Sequence, residues 1–414
     1  MLPSCRKLSG VALLCSLGSL APAQEALDVE GYVQIVLRSH PAARLRAGFE
    51  DAARAESKAA RQFSDPTFEY SRGQAHPNEA PSIGATETSI SVSQTIPWPG
   101  AFAAGARAGD RAADALRAEG TASRWEVEIA ARRTFARLVT ARALLDLDQA
   151  TEGDARSLRD LVARRAELGE TRESDRIRAA VEWMRQRRLL EASRREAEVA
   201  EAVVRTLAVE PLPRPLAIRP DLPRDLPSPD REALLARLLE RNPQLLVARA
   251  DTERQRELVS QAKRARFPDL DVTVFRDEEL DKTSSGFALG IKVPLWNANR
   301  GAIARAQAAS SLASAEAERR RLDLVAELEE RLKDLDVASV QVQTLEKEIL
   351  PSAAESLRLA RRSYEEGETS LLDLLDAQRT FRDTQREAVE SRLALALAVT
   401  DIQRLVGPDF NPWR

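Results

Sequence analysis

The chain has 414 residues, enough for two or three compact domains, yet only 4 % of them are aromatic and 31 % are charged. That mix, rich in Ala, Leu, Arg and Glu, excludes a thick globular core and suits long helices with thin apolar seams. A formal net charge of −3, with Arg interleaved among Glu and Asp, argues against a nucleic-acid partner and reads the charged helix faces as solvated.

In chain order, Arg6 and Lys7, the apolar residues 11–20 and Ala21-Pro22-Ala23 predict a secretory signal over residues 1–23. Both cysteines, Cys5 and Cys15, fall inside it, so a mature chain carries no thiol. Leu14 stands before Cys15 where a lipoprotein cysteine needs a small residue. Beyond this segment no run of 18 apolar residues exists, which excludes a transmembrane helix but not the short alternating strands of a membrane barrel.

Residues 27–63 read as helix, stopped by Pro66. Residues 67–72 then alternate, with Phe68 and Tyr70 on one face and Glu69 and Ser71 on the other. A turn-rich loop with Pro77, Asn78, Pro81 and Gly84 leads to a second strand over 88–96, where Ile90, Val92 and Ile96 oppose Ser91, Ser93 and Thr95. A helix over 102–168 follows, on the order of 100 Å long at ~1.5 Å per residue. Gly169-Glu170-Thr171 forms its tip, and a return helix occupies 172–208. The connector 210–230 holds seven prolines and reads as extended chain.

Residues 231–407 then repeat the module found in 24–209, and 408–414 form a tail. His40-Pro41 and Asp65-Pro66 recur 202 positions on as Asn242-Pro243 and Phe267-Pro268; Ile96-Pro97 has a twin in Val293-Pro294. Gly169-Glu170-Thr171 with Asp175 recurs 198 on as Gly367-Glu368-Thr369 with Asp373. The second strand pair carries Leu270, Val272 and Val274, then Phe287, Leu289, Ile291 and Val293, each set on one face. The second long helix, 299–366, has a seam at Val325, Leu328, Leu332, Leu335, Val342, Leu345 and Ile349, nearer a 3.5 than a 3.6 period and so of coiled-coil type. Gly153 and Pro351, each sixteen residues before a tip glycine, read as kinks. A return helix over 370–406 completes the copy.

Four strands cannot close a membrane barrel, which needs at least about eight, and open edges are not allowed in lipid. Either these are not membrane strands, or several copies of the chain complete one barrel.

The chain resembles the TolC-like outer-membrane efflux proteins. The resemblance covers nearly all of the mature chain. It is carried by the doubled helix starts, by Gln94-Thr95-Ile96-Pro97-Trp98-Pro99-Gly100, and by Gly290-Ile291-Lys292-Val293-Pro294-Leu295-Trp296. Its strongest part is Tyr364-x-x-Gly367-x-x-Ser370-Leu371-Leu372-Asp373-Leu374-Leu375-Asp376-Ala377-Gln378. The short length and the Pro-Trp-Pro-Gly form look most like the heavy-metal, cobalt–zinc–cadmium type subgroup. The resemblance implies a mainly α fold with membrane β, in a homotrimer. Such a trimer has a 12-stranded β-barrel in outer-membrane lipid and a 12-helix α-barrel through the periplasm. It implies a periplasmic adaptor (membrane-fusion) protein and an inner-membrane pump as partners, for an exit duct opened at its periplasmic tip. By the same resemblance Asp373 and Asp376 match the ring of the closed gate, Asp175 the gate carboxylate of the first copy, and Tyr364 the gate tyrosine. Gly169, Thr171, Gly367 and Thr369 sit at the tip turns, and Thr369 stands where the family has its gate arginine.

Read by themselves, Asp373 and Asp376 are equally helix-start acids favoured by the helix dipole. Trp98 and Trp296 are either interfacial anchors or packing at a strand-to-helix corner. His40, His76 and Met184 form no soft-ligand cluster, so no metal site and no cofactor are expected. Without a phosphate-binding Gly-rich loop or a catalytic constellation, no enzyme is expected either. A soluble periplasmic coiled-coil adaptor or scaffold is the competing class; it explains the heptads but not the paired strands placed identically in both copies.

Overall fold

The computed structural model describes residues 26–75, 85–220, 222–223, 230–279, 282–292 and 298–407. The signal segment, His76, Val293, Pro294, Trp296 and the tail 408–414 lie outside the described residues. The first repeat holds α1 (Val29–Ser39), α2 (Pro41–Ala59), β1 (Thr67–Ala75), β2 (Ala85–Ile96), α3 (Pro99–Glu167) and α4 (Glu173–Ala208). The second holds α5 (Arg231–Arg241), α6 (Pro243–Arg264), β3 (Leu270–Glu278), β4 (Thr283–Ile291), α7 (Arg300–Thr344), α8 (Leu350–Glu365) and α9 (Leu371–Val406), with a π-helical turn, Leu345–Ile349, between α7 and α8.

The single helix expected over 27–63 is two. Proline disfavours helical geometry in the residue before it, and His40 is extended at φ −65°, ψ 135°. Its Nδ1 accepts the Ala42 N–H at 3.2 Å, and Pro41 opens α2 where a missing N–H costs nothing. Asn242-Pro243 repeats the break: Asn242 is extended and its side chain accepts the Leu245 N–H at 3.0 Å.

All four strands form one antiparallel sheet in the order β1-β2-β3-β4, so the two repeats join at β2 and β3. Below the sheet the long helices lie side by side. Nearest the sheet the neighbours run α2, α3, α6, α7; toward the tip they run α4, α3, α9, then α7 and α8.

At Gly153 the α-helical ladder of α3 is unbroken, and the helix is continuous for its full 69 residues. The second repeat does break its α-helical ladder, just before Pro351. Proline has no N–H to give to a residue four back, and the turn Leu345–Ile349 is wound wider, as π. That turn inserts one residue into the seam. Leu328, Leu332, Leu335, Val342 and Leu345 are buried as expected, but Ile349 is 44 % exposed. The seam resumes one residue late at Ala353 and ends on the buried Tyr364.

Three apolar clusters hold the helices. One joins α5 and α6 to α7 and α9 through Leu238, Leu245, Leu328 and Leu405. A second joins α1 to α3 and α4 around Tyr32, Phe135 and Val204. The third lies at the tip. Part of the connector also packs: Leu212 and Leu216 are buried in the second cluster, and Leu27 bridges Ile218. Arg142 and Arg205 donate to the carbonyls of Leu216 and Leu212, which accounts for polar backbone that prolines leave unladdered.

Candidate functional site

The sheet has two chemically opposite faces. Registers pair Phe68 with Val92, Val92 with Val274 and Val274 with Phe287, so one row of four apolar side chains crosses all strands. Ile96, Leu270 and Ile291 form a row nearer the helices; Val272 and Leu289 lie between, and Tyr70 and Ile90 lie beyond. In the single chain most of these are exposed, Leu289 at 61 % and Phe287 at 74 %. A contiguous apolar face of this size marks a surface that is covered in the working state. From Ile90 to Ile96 it runs about 20 Å at ~3.4 Å per residue, close to the apolar band of an outer-membrane barrel.

The opposite face carries Ser89, Ser91, Ser93 and Thr95 on β2. It also carries four acids, Glu69, Glu87, Asp271 and Asp277, and no basic strand residue. Ser89 donates to Asp277 and Thr95 to Asp271, which fixes these carboxylates across the β2–β3 seam. Phe275, the one large apolar residue here, lies over Gly286, where a Cβ would come within 3.1 Å of its ring. The sequence reading noted Glu69 but missed the other three acids. The signal was present for Asp271, which alternates with Leu270 and Val272; Asp277 keeps the same parity three residues past Val274.

Trp98 sits at the strand-to-helix corner. Its ring stacks on Phe267 with centroids 5.3 Å apart, and its backbone N–H donates to Asp269 Oδ1 at 2.8 Å. Phe63 stacks on Phe102, 4.9 Å between ring centroids. Phe63 and Phe267, both more than half exposed, join Trp98 as aromatics at sheet–helix junctions that the sequence reading passed over. Each lies within three residues of the proline that opens a strand, a doubled position that could have flagged them.

At the tip, Gly169 and Gly367 adopt φ +77° and +80°, left-handed values that only glycine takes without strain. Thr369 is exposed, and its N–H reaches the Ser363 carbonyl. Asp373 closes a capping box: the Ser370 hydroxyl accepts the Asp373 N–H, while the carboxylate accepts from the Ser370 N–H at 3.1 Å. Those hydrogen bonds from the Ser370 hydroxyl and backbone hold the Asp373 carboxyl below the usual aspartate range. Asp376 is exposed one turn along the same helix. Asp175 is held inside its own hairpin, 3.5 Å from Arg178 and accepting from Thr171. Tyr364 is 8 % exposed and packs with Val162, Ala179, Leu371, Leu374 and Leu375, with the Arg165 guanidinium 5.6 Å from its ring centre. The structure thus brings Tyr364 of the second hairpin against α3 and α4 of the first.

Charges read as solvated turn out to stitch the hairpins together. Asp148 on α3, 1 % exposed, accepts from Arg386 on α9 at 2.7 Å and from Ser193 on α4. Glu182 on α4 accepts from Arg379 at 2.9 Å and Arg382 at 3.3 Å, both on α9, and from Gln186. Farther along α9, Arg392 meets Glu346, Asp401 meets Arg133 and Arg404 meets Glu327. Periodicity within one helix does not reveal partners on another, which is why these pairs were invisible. Among the described residues there is no cluster of three metal-binding side chains and no helix apolar enough to cross a membrane.

Residues 234–408, essentially the second repeat, match the family model described as outer membrane efflux protein. The chain is 29 % identical over 184 residues to the cobalt-zinc-cadmium resistance protein CzcC of Cupriavidus metallidurans, a stretch covering 44 % of each protein. It therefore spans under half the length of the curated relative it matches. In fold it is similar to a membrane protein from Pseudomonas aeruginosa (20 % identity, TM-score 0.79, 93 % of this chain and 91 % of that one). It is also similar to CusC (17 % identity, TM-score 0.79, 92 % of each chain). The resemblance to TolC-like outer-membrane efflux proteins, of heavy-metal type, holds in sequence over the second repeat and in fold over nearly the whole chain. The matched family model is one of outer membrane efflux proteins, a transport class and not a class of enzymes.

Proposed function

We propose that three copies of this chain close a 12-stranded barrel in the outer membrane and a 12-helix tube in the periplasm. The assembly serves as the passive exit duct of a tripartite efflux system. The observation that carries this reading is the two-faced sheet with both edges open: an apolar face suited to lipid and an acidic, hydroxyl-rich face suited to a water-filled lumen. A soluble scaffold would leave that apolar face in water. The flanks support a head-to-tail ring. One carries the free edge of β1 and the exposed Ile177, Val181, Met184 and Val199 of α4. The other carries the free edge of β4 and the exposed Leu312, Leu322, Val337 and Val340 of α7. The two repeats, 24–209 and 231–407, act as equivalent staves joined by the connector 210–230.

The cargo on this reading is cationic, a metal ion or a small toxic cation. Four acids per chain on the inner sheet face favour positive charge, and the similar CzcC is named for cobalt, zinc and cadmium resistance. A periplasmic adaptor and an inner-membrane pump would open the tip. Asp373 and Asp376, with Asp175 and Tyr364 behind them, form the gate, and Trp98 and Trp296 anchor the periplasmic rim. In a ring, mutual repulsion among three copies of each aspartate opposes the lowering that Ser370 imposes on Asp373.

Planar-bilayer recordings test the gate. The pair Asp373→Asn and Asp376→Asn keeps a side-chain carbonyl for Ser370 and is expected to leave folding intact. It should raise the divalent-cation concentration needed to block the current by about ten-fold and reduce cation selectivity. Block and selectivity equal to the parent would make both residues helix-start acids and move the gate elsewhere.

A further inference from the structure

Beyond the apolar rows, the lipid-side face of the sheet continues into arginine. Register places Arg72 beside Thr88, one row past Tyr70 and Ile90, and Arg276 beside Ile90 itself. Both share the parity of Phe68, Val92 and Val274, and so point away from the acidic face. They lie toward the hairpin ends of the strands, the ends opposite the helical tube. We propose that Arg72 and Arg276, six arginines in a trimer, form a belt that binds the phosphates of anionic lipid headgroups in the outer leaflet. This rests on the membrane reading above and adds a lipid partner to it.

Charge is sorted between the two faces of the sheet. Four of the five strand acids, Glu69, Glu87, Asp271 and Asp277, take the inner face, and the two strand arginines both take the outer one. With Glu278 the one exception, a sheet that needed arginine only for solubility would have no reason to place both arginines opposite the acids. Arg72 is exposed, and among the described residues it has no ion-pair or hydrogen-bond partner. Arg276 reaches Glu278 at 3.1 Å, but those side chains are 64 % and 56 % exposed, and such a pair holds weakly. A phosphate offers a guanidinium two parallel charge-assisted hydrogen bonds and more negative charge than one carboxylate, so it competes well for Arg276. Tyr70, at the last apolar row, adds the amphipathic ring typical of the headgroup level. Glu278, on the same face, is the one strand acid that opposes the belt.

The test uses the full chain, assembled and purified in detergent, titrated with lipid A, a glycolipid carrying two phosphates, and followed by native mass spectrometry. A zwitterionic phosphatidylcholine serves as the uncharged control, and inorganic phosphate as competitor. Each cationic side chain at a headgroup surface is worth about a five-fold change in binding, so Arg72→Gln with Arg276→Gln is expected to weaken lipid A retention on the order of twenty-five-fold. Phosphatidylcholine retention should not change. Glu278→Gln should act oppositely and tighten lipid A retention, an effect that damage to folding would not produce. Inorganic phosphate at millimolar concentration should not displace the lipid. Lipid A retention unchanged in the double variant, or lost in Glu278→Gln, overturns the belt while leaving the barrel standing, provided that parent and variants all insert into liposomes. Failure of the parent to insert would instead remove the membrane reading on which the belt depends.

Discussion

Leu289→Arg is expected to abolish most assembly into membranes. Leu289 lies between the row of Ile96, Leu270 and Ile291 and the row of Phe68, Val92, Val274 and Phe287, with Val272 directly across the β3–β4 ladder. That position is close to the middle of the apolar band, where a lipid-facing arginine costs about 2–4 kcal/mol. A trimer would carry the change three times. Nothing in the isolated chain resists it, because Leu289 is 61 % exposed and fills no protein cavity. Lost assembly would therefore report on lipid contact and not on a damaged core. Ser91→Arg, on the acidic face two strands away, is the matched control and should assemble while lowering conductance. Folding into liposomes, scored as the fraction recovered as heat-modifiable oligomer, separates the two. A tolerated Leu289→Arg beside a disruptive Ser91→Arg would mean that the faces are assigned backwards.

The second large effect lies among the long helices. Arg386→Ala leaves Asp148, 1 % exposed, with the Ser193 hydroxyl as its one hydrogen-bond partner among the described residues. Removing one partner of a buried ion pair costs about 3–5 kcal/mol, because the remaining charge is stranded. Replacing both, Asp148→Leu with Arg386→Met, should recover most of that loss, since packed apolar side chains often match a buried pair. By contrast Lys333→Ala, which removes an ion pair to Asp336 with side chains 81 % and 59 % exposed, should shift stability by less than about 1 kcal/mol. The neighbouring cluster adds a pH signature. Desolvation pushes the Glu182 carboxyl up, but hydrogen bonds from Arg379 and Gln186 and the charges of Arg379 and Arg382 outweigh it and hold Glu182 below its ordinary range. A depressed folded pKa gives stability that is complete above the unfolded glutamate value of about 4.3 and is lost as pH falls through the folded value. Unfolding midpoints by circular dichroism should therefore fall on acidification, and Glu182→Gln should flatten that limb. An Arg386→Ala midpoint equal to the parent would show that α9 is held by its leucines alone.

Much of this architecture was legible because its signals are local. Alternation of Phe68 and Tyr70 with Glu69 and Ser71 assigns faces without any knowledge of neighbours, and the Pro-marked landmarks reveal the duplication. What was not legible depends on the third dimension. Heptad spacing cannot foresee that Pro351 is accommodated by a wider turn, which throws Ile349 out of the seam and carries Tyr364 into it. Gly153 looked like the counterpart of Pro351, but glycine only weakens a helix, whereas proline removes a donor, and the α3 ladder is unbroken there. Arg379, Arg382 and Arg386 looked like ordinary surface charge because their partners, Glu182 and Asp148, lie about 200 residues away or more. The capping role of Asp373 was legible as one of two readings, and its hydrogen bonds to Ser370 are compatible with both.

The central claim is that a chain with four strands and two open edges completes its barrel with copies of itself. Mass determination of the detergent-solubilised protein by light scattering tests it most directly. Three chains per particle, with no smaller species that retains the sheet, is the predicted result. A stable, folded monomer with β1 and β4 unpaired would contradict it.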